Sequence, residues 1–350
     1  GMHDITALIL FNRSSKEINE EVPYRYQGLT ARATYNYDMR YFFEFNCGYN
    51  GSENFHPDRR YGFFPAVSVG WVISNEKFME KARSWLDMLK IRASYGLVGS
   101  DMLPSDRWAY LAFFSSGTNS RFGETPTSYP GMKEDKLANP NLTWEKAQKT
   151  NIGIDLTMFR QRLTLAVDLF QEKRYDIITD LSDASKLGLP DYVGTSAPYT
   201  NSGEVRNRGV DFEIGWNGNI GRDFHYYIKP NFTFARNKII YMNEVTRKNP
   251  WRSETGHRLQ ENFVYIFDHF VRDQTEADKL NAMNNGAGFQ TWGNLRPGDC
   301  VYKDLDGDGQ ITDEDRMAMG HPRNPELQFG LPIGFSYKGF DFSVLFQGAL

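Results

Sequence analysis

Side-chain character changes at every residue along Asn151–Lys173: Ile152, Ile154, Leu156 and Met158 share one parity, and Asn151, Asp155 and Thr157 the other. After Arg160-Gln161 the alternation resumes, with Leu163, Leu165, Val167 and Leu169 against Thr164, Ala166 and Asp168. Successive side chains of a strand point to opposite faces of a sheet, so a period of two on both sides of a tight break predicts an antiparallel hairpin with one apolar and one polar face. The pattern recurs along the chain. His3–Asn12 reads as a weaker first strand, followed by a Glu-rich connection to Gln27. Leu29, Ala31, Ala33, Tyr35 and Tyr37 return across Asp38-Met39 as Tyr41, Phe43, Phe45, Cys47 and Tyr49. Val67, Val69, Trp71 and Ile73 follow Pro65, and Leu89, Ile91, Ala93, Tyr95 and Leu97 form the next apolar parity. Val210, Phe212, Ile214 and Trp216 turn through Gly218–Arg222 into Phe224, Tyr226, Ile228, Phe232 and Phe234. Phe329, Leu331, Ile333, Phe335 and Tyr337 pair across Lys338-Gly339 with Phe340, Phe342, Val344 and Phe346.

Two segments depart from this period. Phe78, Ala82, Trp85 and Leu86 recur at helical spacing behind Ser74 and Asn75, which predicts a short amphipathic helix over Asn75–Leu86 packed under the sheet. A second helix is predicted near Glu276–Met283. The connections matter as much as the strands. Roughly eleven strands of about ten residues are joined by links that alternate between tight and very long. The long ones run to about Thr150, to about Asn207, and from about Asn237 to Leu327. Loops beyond about 15 residues are uncommon in compact domains. Recurring at every second connection, they place all tight turns at one end of the sheet and all long loops at the other, the arrangement of an outer-membrane barrel with short periplasmic turns and long extracellular loops. A soluble sandwich or propeller shares the alternation but not this systematic asymmetry.

The chemistry of the two parities says which face is outside. One set is Leu, Ile, Val, Phe, Tyr and Trp nearly throughout, while the other carries Arg32, Arg40, Glu44, Lys90, Arg92, Asp155, Asp168, Asp211 and Glu213. A charge at mid-depth on a lipid-facing surface costs about 2–4 kcal/mol, so the first set is expected to face lipid and the second a wet lumen. An odd number of strands with open edges is not viable in lipid, which points to an all-β chain forming part of a larger antiparallel transmembrane barrel.

Composition adds exclusions. The chain has 350 residues, 15% aromatics and a formal net charge of -4, with no basic excess to recommend a nucleic-acid partner. No run of about 18 apolar residues predicts a membrane helix, which leaves a barrel open because strands average out in hydropathy. Cys47 and Cys300 form no C-x-x-C pair and no cluster with histidine, and are expected to be isolated thiols.

The sharpest chemical motif is Asp304-Leu305-Asp306-Gly307-Asp308-Gly309-Gln310-Ile311-Thr312-Asp313-Glu314-Asp315. Carboxylates Asp304, Asp306 and Asp308 at positions 1, 3 and 5, a carbonyl from Gln310 at 7, an oxygen from Thr312 or its water at 9 and Asp315 at 12 match the calcium-loop template. Position 12 is shorter than the usual Glu, and flanking helices are not evident. A structural Ca2+ that stiffens the long loop is the expectation, against an ordinary Asp-Gly-rich turn. Asp211 and Glu213 could be imagined as a glycosidase acid and base but fit lumen lining better. No H-E-x-x-H, G-x-S-x-G or P-loop occurs, and no catalytic residue is assigned. Trp108, Tyr110, Trp251 and Trp292 in loops could stack on sugar rings or pack the loops themselves. Tyr35, Tyr37 and Tyr337, beside tight turns, suit a periplasmic aromatic girdle.

Several phrases are specific in order and spacing: Arg59–Trp71, Leu89–Gly96, Asn139–Glu145, Gly203–Val210, Pro297–Asp299 with Asp304–Gly309, and Tyr337–Asp341 with Phe346-Gln347-Gly348. Together they closely resemble the SusC/RagA family of TonB-dependent outer-membrane transporters over nearly the whole chain. The resemblance implies a 22-stranded barrel with an N-terminal plug, residues 1–350 being part of the barrel domain without the plug or the closing strands. It also implies import of glycan fragments, or in some members peptides, with a SusD-like surface lipoprotein as lid and the TonB complex engaged through the missing N-terminal region. Oligosaccharide import is the leading reading; peptide import by the same family, or a secreted calcium-binding adhesin or lectin, are the alternatives.

Overall fold

Residues 2–17, 23–104, 107–124, 127–180 and 197–350 are described by a computed structural model. The Glu-rich stretch at 18–22 and the middle of the expected loop, 181–196, lie outside the described residues. The chain divides into two compact units, Gly1–Asn243 with Glu326–Leu350, and Glu244–Pro325.

The first unit is built on one antiparallel sheet of twelve strands. It opens with β1 (His3–Lys16), β2 (Tyr24–Tyr37), β3 (Tyr41–Ser52), β4 (Tyr61–Val72) and β5 (Leu86–Ser100). A separate small hairpin, β6 (Phe114–Phe122) with β7 (Thr127–Glu134), occupies the connection that follows. The sheet continues with β8 (Glu145–Met158), β9 (Leu163–Thr179), β10 (Thr200–Ile220), β11 (Phe224–Ile228) and β12 (Asn231–Tyr241). In the second unit come the short β13 (Phe263–Tyr265), β14 (Phe267–Phe270), β15 (Cys300–Tyr302) and β16 (Arg316–Ala318), and the sheet closes its run with β17 (Leu327–Tyr337) and β18 (Phe340–Ala349). β11 and β12 both lie between β10 and β17 and are separated only by Lys229-Pro230. Proline has no N–H to give a ladder, which breaks one strand in two. Counted as one, the twelve make eleven, as the alternation predicts.

Register turns the alternating sequence into two faces. Following hydrogen-bonded partners across ten strands from β1 to β17, one row reads Ile5, Tyr35, Phe43, Val69, Ala93, Ile152, Leu169, Val210, Phe234 and Leu327. One residue along, the row reads Asp4, Asn36, Phe42, Gly70, Arg92, Gly153, Asp168, Asp211, Thr233 and Gln328. The apolar face is not covered by protein: Ile5 is 73% exposed, Ile152 51% and Leu169 57%. The tight reversals have the backbone that short hairpins require. Lys338 and Gly339 (φ 47° and 84°) and Asp38 and Met39 (φ 48° and 53°) are all left-handed, the twist that matches the strands they join.

Apolar side chains do gather at the opposite end. Phe55, Phe64, Ala109, Leu142, Trp144, Ile178 and Tyr199, from the long connections and the strand ends beside them, pack into a buried cluster. Trp144 is central, 2% exposed, with its indole N–H donating to the Arg60 carbonyl at 3.0 Å. Asn139, ahead of it, accepts from Asn141 N and donates to the Tyr199 carbonyl.

Three expectations change. β8 begins at Glu145 rather than near 151, and β10 at Thr200 rather than after 207. Both extensions carry polar residues on both parities, so no alternation marks them. The expected helix over 75–86 is a 3-10 turn at Ile73–Asn75 followed by a 3-10 helix at Lys77–Ser84, with no buried residue in the latter. It is not packed under the sheet: Phe78 is 68% exposed. Bonds from Glu76 to Ile73, Met79 to Glu76 and Trp85 to Ala82 are all of the i→i+3 kind, which spans about 2 Å per residue and suits a short link between neighbouring strand ends.

The second unit has its own small core of Val271, Ala277, Leu295 and Val301. β13 pairs β16 and β14 pairs β15. The expected second helix is α1 (Gln274–Asn281), N-capped by Asp273, whose side chain accepts from Glu276 N. Cys47, in β3, and Cys300, in β15, are free thiols, as expected.

Candidate functional site

The polar face of the sheet is a wall of ion pairs. Arg92 on β5 donates Nε to Asp155 at 3.0 Å on β8, and through both terminal nitrogens at 2.6 Å to Asp168 on β9. To reach β9 the guanidinium must cross β8, and it does so over Gly153. A Cβ there would lie 2.6 Å from Arg92 Cζ and 2.8 Å from Asp168 Oδ1. Glycine inside a strand is costly, and here close approach requires it. Arg32 pairs with Glu44 at 2.9 Å, Glu172 takes both Lys149 and Arg174, and Lys173 meets Glu204 at 3.1 Å. Asp211 stands opposite Asp168 in register, and Glu213 opposite Ala166. Neither makes a hydrogen bond or ion pair among the described residues, so they are among the negative charges this wall leaves open. They lie two residues apart on one strand, lining a sheet face.

At the tight-turn end the aromatic contacts extend further than the sequence suggests. Tyr37 stacks on Tyr41 at 6.3 Å, and Tyr41 on Trp71 at 6.4 Å and 11°. Tyr35 takes a hydrogen bond with His3 at 2.9 Å, and Tyr337 packs on Phe224 at 6.3 Å. Of the loop aromatics, Trp108 is half-buried under the Arg107 guanidinium at 4.0 Å, Tyr110 lies edge-on to His56, and Trp251 donates to the Glu314 carbonyl at 2.9 Å. Trp292 differs. It is 51% exposed and packs against Tyr265 at 4.9 Å and Tyr302 at 5.9 Å, an aromatic platform edged by Arg316.

The acidic loop lies in the second unit. Asp304, Asp306 and Asp315 each offer an oxygen to a group whose atoms all lie within 4.8 Å of one another. Asp315 is fully buried, and its oxygens accept from Leu305 N and Thr312 N at 2.7 Å. Asp304 accepts from Gly307 N and Gly309 N, and both glycines hold the left-handed φ (74° and 85°) that the tight loop needs. Asp306 accepts from Asp308 N and Asn249 Nδ2, each at 3.3 Å, with the exposed Lys248 at 3.9 Å. Three carboxylates with one distant cation suit a hard, oxygen-seeking divalent ion. Asp308 is turned to Gln310 N, the Gln310 side chain to the Gly288 carbonyl, and the Thr312 hydroxyl to Glu314 N. Asp308 is not among the three convergent carboxylates. Position 12 does reach in despite its shorter side chain, because a 3-10 turn at Asp313–Asp315 carries it back.

Two further polar centres of the second unit carry no signal in the sequence. Burial would raise the Glu244 carboxyl, but bonds from Glu254 N, Thr255 N and the hydroxyls of Thr255 and Ser253 together hold it below its ordinary value. His269 is held above its ordinary value by the Asp268 carboxylate and then by Glu276. Glu276 in turn is lowered by the Arg272 amide and then by His269.

Residues 13–346 match the family model described as TonB dependent receptor-like, beta-barrel. The chain is 28% identical over 324 residues to TonB-dependent receptor P3 of Formosa agariphila, covering 91% of this chain and 31% of that protein. It is 27% identical over 328 residues to TonB-dependent receptor SusC of Bacteroides thetaiotaomicron, again covering 91% of the chain and 30% of the relative. The chain therefore spans about a third of the length of the curated relatives it matches. The RagAB peptide importer in its open-open state shares the fold, with a TM-score of 0.74 at 19% identity, covering 99% of this chain and 38% of that one.

Proposed function

Because the chain belongs to the TonB-dependent receptor β-barrel family, among SusC/RagA-like outer-membrane receptors, we propose that it supplies about half the wall of a 22-stranded transporter that imports nutrients across the outer membrane. The observation that carries this reading is the register: an apolar row, largely exposed, runs through ten strands, and one residue along lies a row that carries Asp4, Arg92, Asp168 and Asp211. An apolar surface of that extent is stable against lipid and the opposite one against water. In this reading the protein is a receptor and transporter, not an enzyme, and the plug, TonB contact and closing strands are contributed by sequence outside 1–350. The complete receptor is expected to fractionate with the outer membrane and to need detergent; recovery as a soluble monomer without detergent would overturn the reading.

The cargo we propose is an oligosaccharide, delivered with a SusD-like lipoprotein. Trp292, Tyr265 and Tyr302 support this, since an exposed aromatic platform offers flat apolar area to a sugar ring. A peptide is the second reading, favoured by the fold shared with the RagAB peptide importer and by the open carboxylates Asp211 and Glu213. Uptake assays with labelled glycan and peptide pools separate the two. Loss of glycan but not peptide uptake in Trp292→Ala favours the first.

A structural Ca2+ held by Asp304, Asp306 and Asp315 completes the proposal. Terbium luminescence excited through nearby tryptophan should appear in the wild type, fall with added Ca2+, and be lost in Asp306→Asn. Chelation should loosen the 304–315 loop alone. If it unfolded the whole chain, the secreted calcium-binding reading would regain ground.

A further inference from the structure

The 3-10 helix Lys77–Ser84 does not do what its amphipathic pattern suggests, and its surroundings say what it does instead. Its start is tied to the apolar face. Glu76 accepts the Trp71 indole N–H at 3.0 Å, and Tyr41, stacked on Trp71, hydrogen-bonds the same carboxylate. Both aromatics belong to the row set that faces away from the polar wall. Its far end meets the next tight turn, where Phe159 N donates to the Trp85 carbonyl at 2.8 Å. The segment thus runs along the turn end of the sheet, beside the apolar face. Phe78, Trp85 and Phe159 are 68%, 45% and 44% exposed there.

The charges around these rings are mostly positive, with Glu80 on the helix and Asp87, which accepts from Gln161 N at 2.9 Å, as the exposed acidic groups. Lys77, Lys81 and Arg83 on the helix, and Arg160 and Arg162 on the adjoining turn, are all exposed and make no ion pair among the described residues. Glu76 is already neutralised by Arg40 at 3.3 Å. Exposed aromatics beside unpaired cations, at the edge of a surface that faces lipid, match the chemistry of an anionic phospholipid headgroup layer: rings at the acyl boundary, cations on the phosphates.

We propose that Lys77–Trp85, with the Phe159–Arg162 turn, seats in the headgroup layer of the inner leaflet and gathers anionic phospholipid around this sector of the wall. The proposal rests on the membrane reading above, and the test separates the two. The complete receptor is placed in nanodiscs of mixed phosphatidylcholine and phosphatidylglycerol, in which one lipid or the other carries bromine high on its acyl chain. Bromine quenches tryptophan only on contact, and the parts due to Trp85 and Trp216 are isolated by comparing wild type with Trp85→Phe and Trp216→Phe. Trp216, on the apolar face near the same end, reports the membrane itself. Quenching of Trp85 that is about twofold or more stronger with brominated phosphatidylglycerol, and equalised by Lys77→Gln/Lys81→Gln/Arg83→Gln, is the expected result. Quenching of Trp216 without Trp85 overturns this inference alone, as does quenching of Trp85 equally by either lipid. Absence of quenching at both tryptophans overturns the membrane reading beneath it.

Discussion

Gly153 shows how much one missing side chain can organise. It lets Arg92 bridge three strands, and any Cβ at 153 must push the guanidinium aside. Gly153→Ala is expected to cost about 1 kcal/mol, the range of partly exposed ion pairs, with the strand backbone intact. A double-mutant cycle with Asp168→Asn, read by thermal unfolding in detergent, should be less than additive because both changes remove the same contact. Additive losses would mean Gly153 acts through something else. In the second unit the His269–Glu276 pair makes stability depend on pH in two directions. His269 is raised above its ordinary 6.5, so its contribution is complete below 6.5 and fades as pH rises through the folded value. Glu276 is lowered below 4.5, so its contribution is complete above 4.5 and fades as pH falls through the folded value. Hydrogen exchange of the α1 amides should be slowest between those limits. Exchange whose local opening free energy is flat across both would remove the pair from the account.

At the scale of elements, the loop cluster carries more stability than its position suggests. Trp144 touches Tyr26, Phe55 and Phe64 from three different parts of the chain. Trp144→Ala is expected to cost about 3–5 kcal/mol and to expose the long connections to limited proteolysis while the tight-turn end stays resistant. What the sequence allowed one to read follows the same division. Where one parity is apolar, as in Ile152–Met158 against Leu163–Leu169, strands, register and turns are all legible, because a slip of one residue would reverse the faces. Where both parities are polar, as in Thr200–Asn207, the strand is real but silent. The Lys77–Ser84 segment misled for another reason. Its apolar stripe is genuine, yet a stripe names a face to be covered without naming the cover, and lipid and protein core leave the same mark. The acidic loop was legible as a template, but which side chains converge depended on Asx turns that draw Asp308 away and on the turn that carries Asp315 inward.

For the whole molecule, the test is which face tolerates charge. Ile152→Arg places a cation on the apolar row and should cost about 2–4 kcal/mol if that row lies near mid-depth, lowering the yield of folded receptor in the outer membrane. Ser94→Arg, opposite Asn151 on the polar face, should leave it unchanged. Equal tolerance at both positions would contradict the two-faced wall. The pairing on the polar face also bears on speed. Arg92, Arg32, Lys149 and Lys173 already hold carboxylates of neighbouring strands, so in the proposed transporter a charged solute moving past would find few unclaimed partners and would have to break a bond to make one. A surface whose charges are mutually satisfied is wettable without being sticky. In the proposed transporter, solute dwell time on it would be short, with retention left to the few open groups, Asp211 and Glu213 among them.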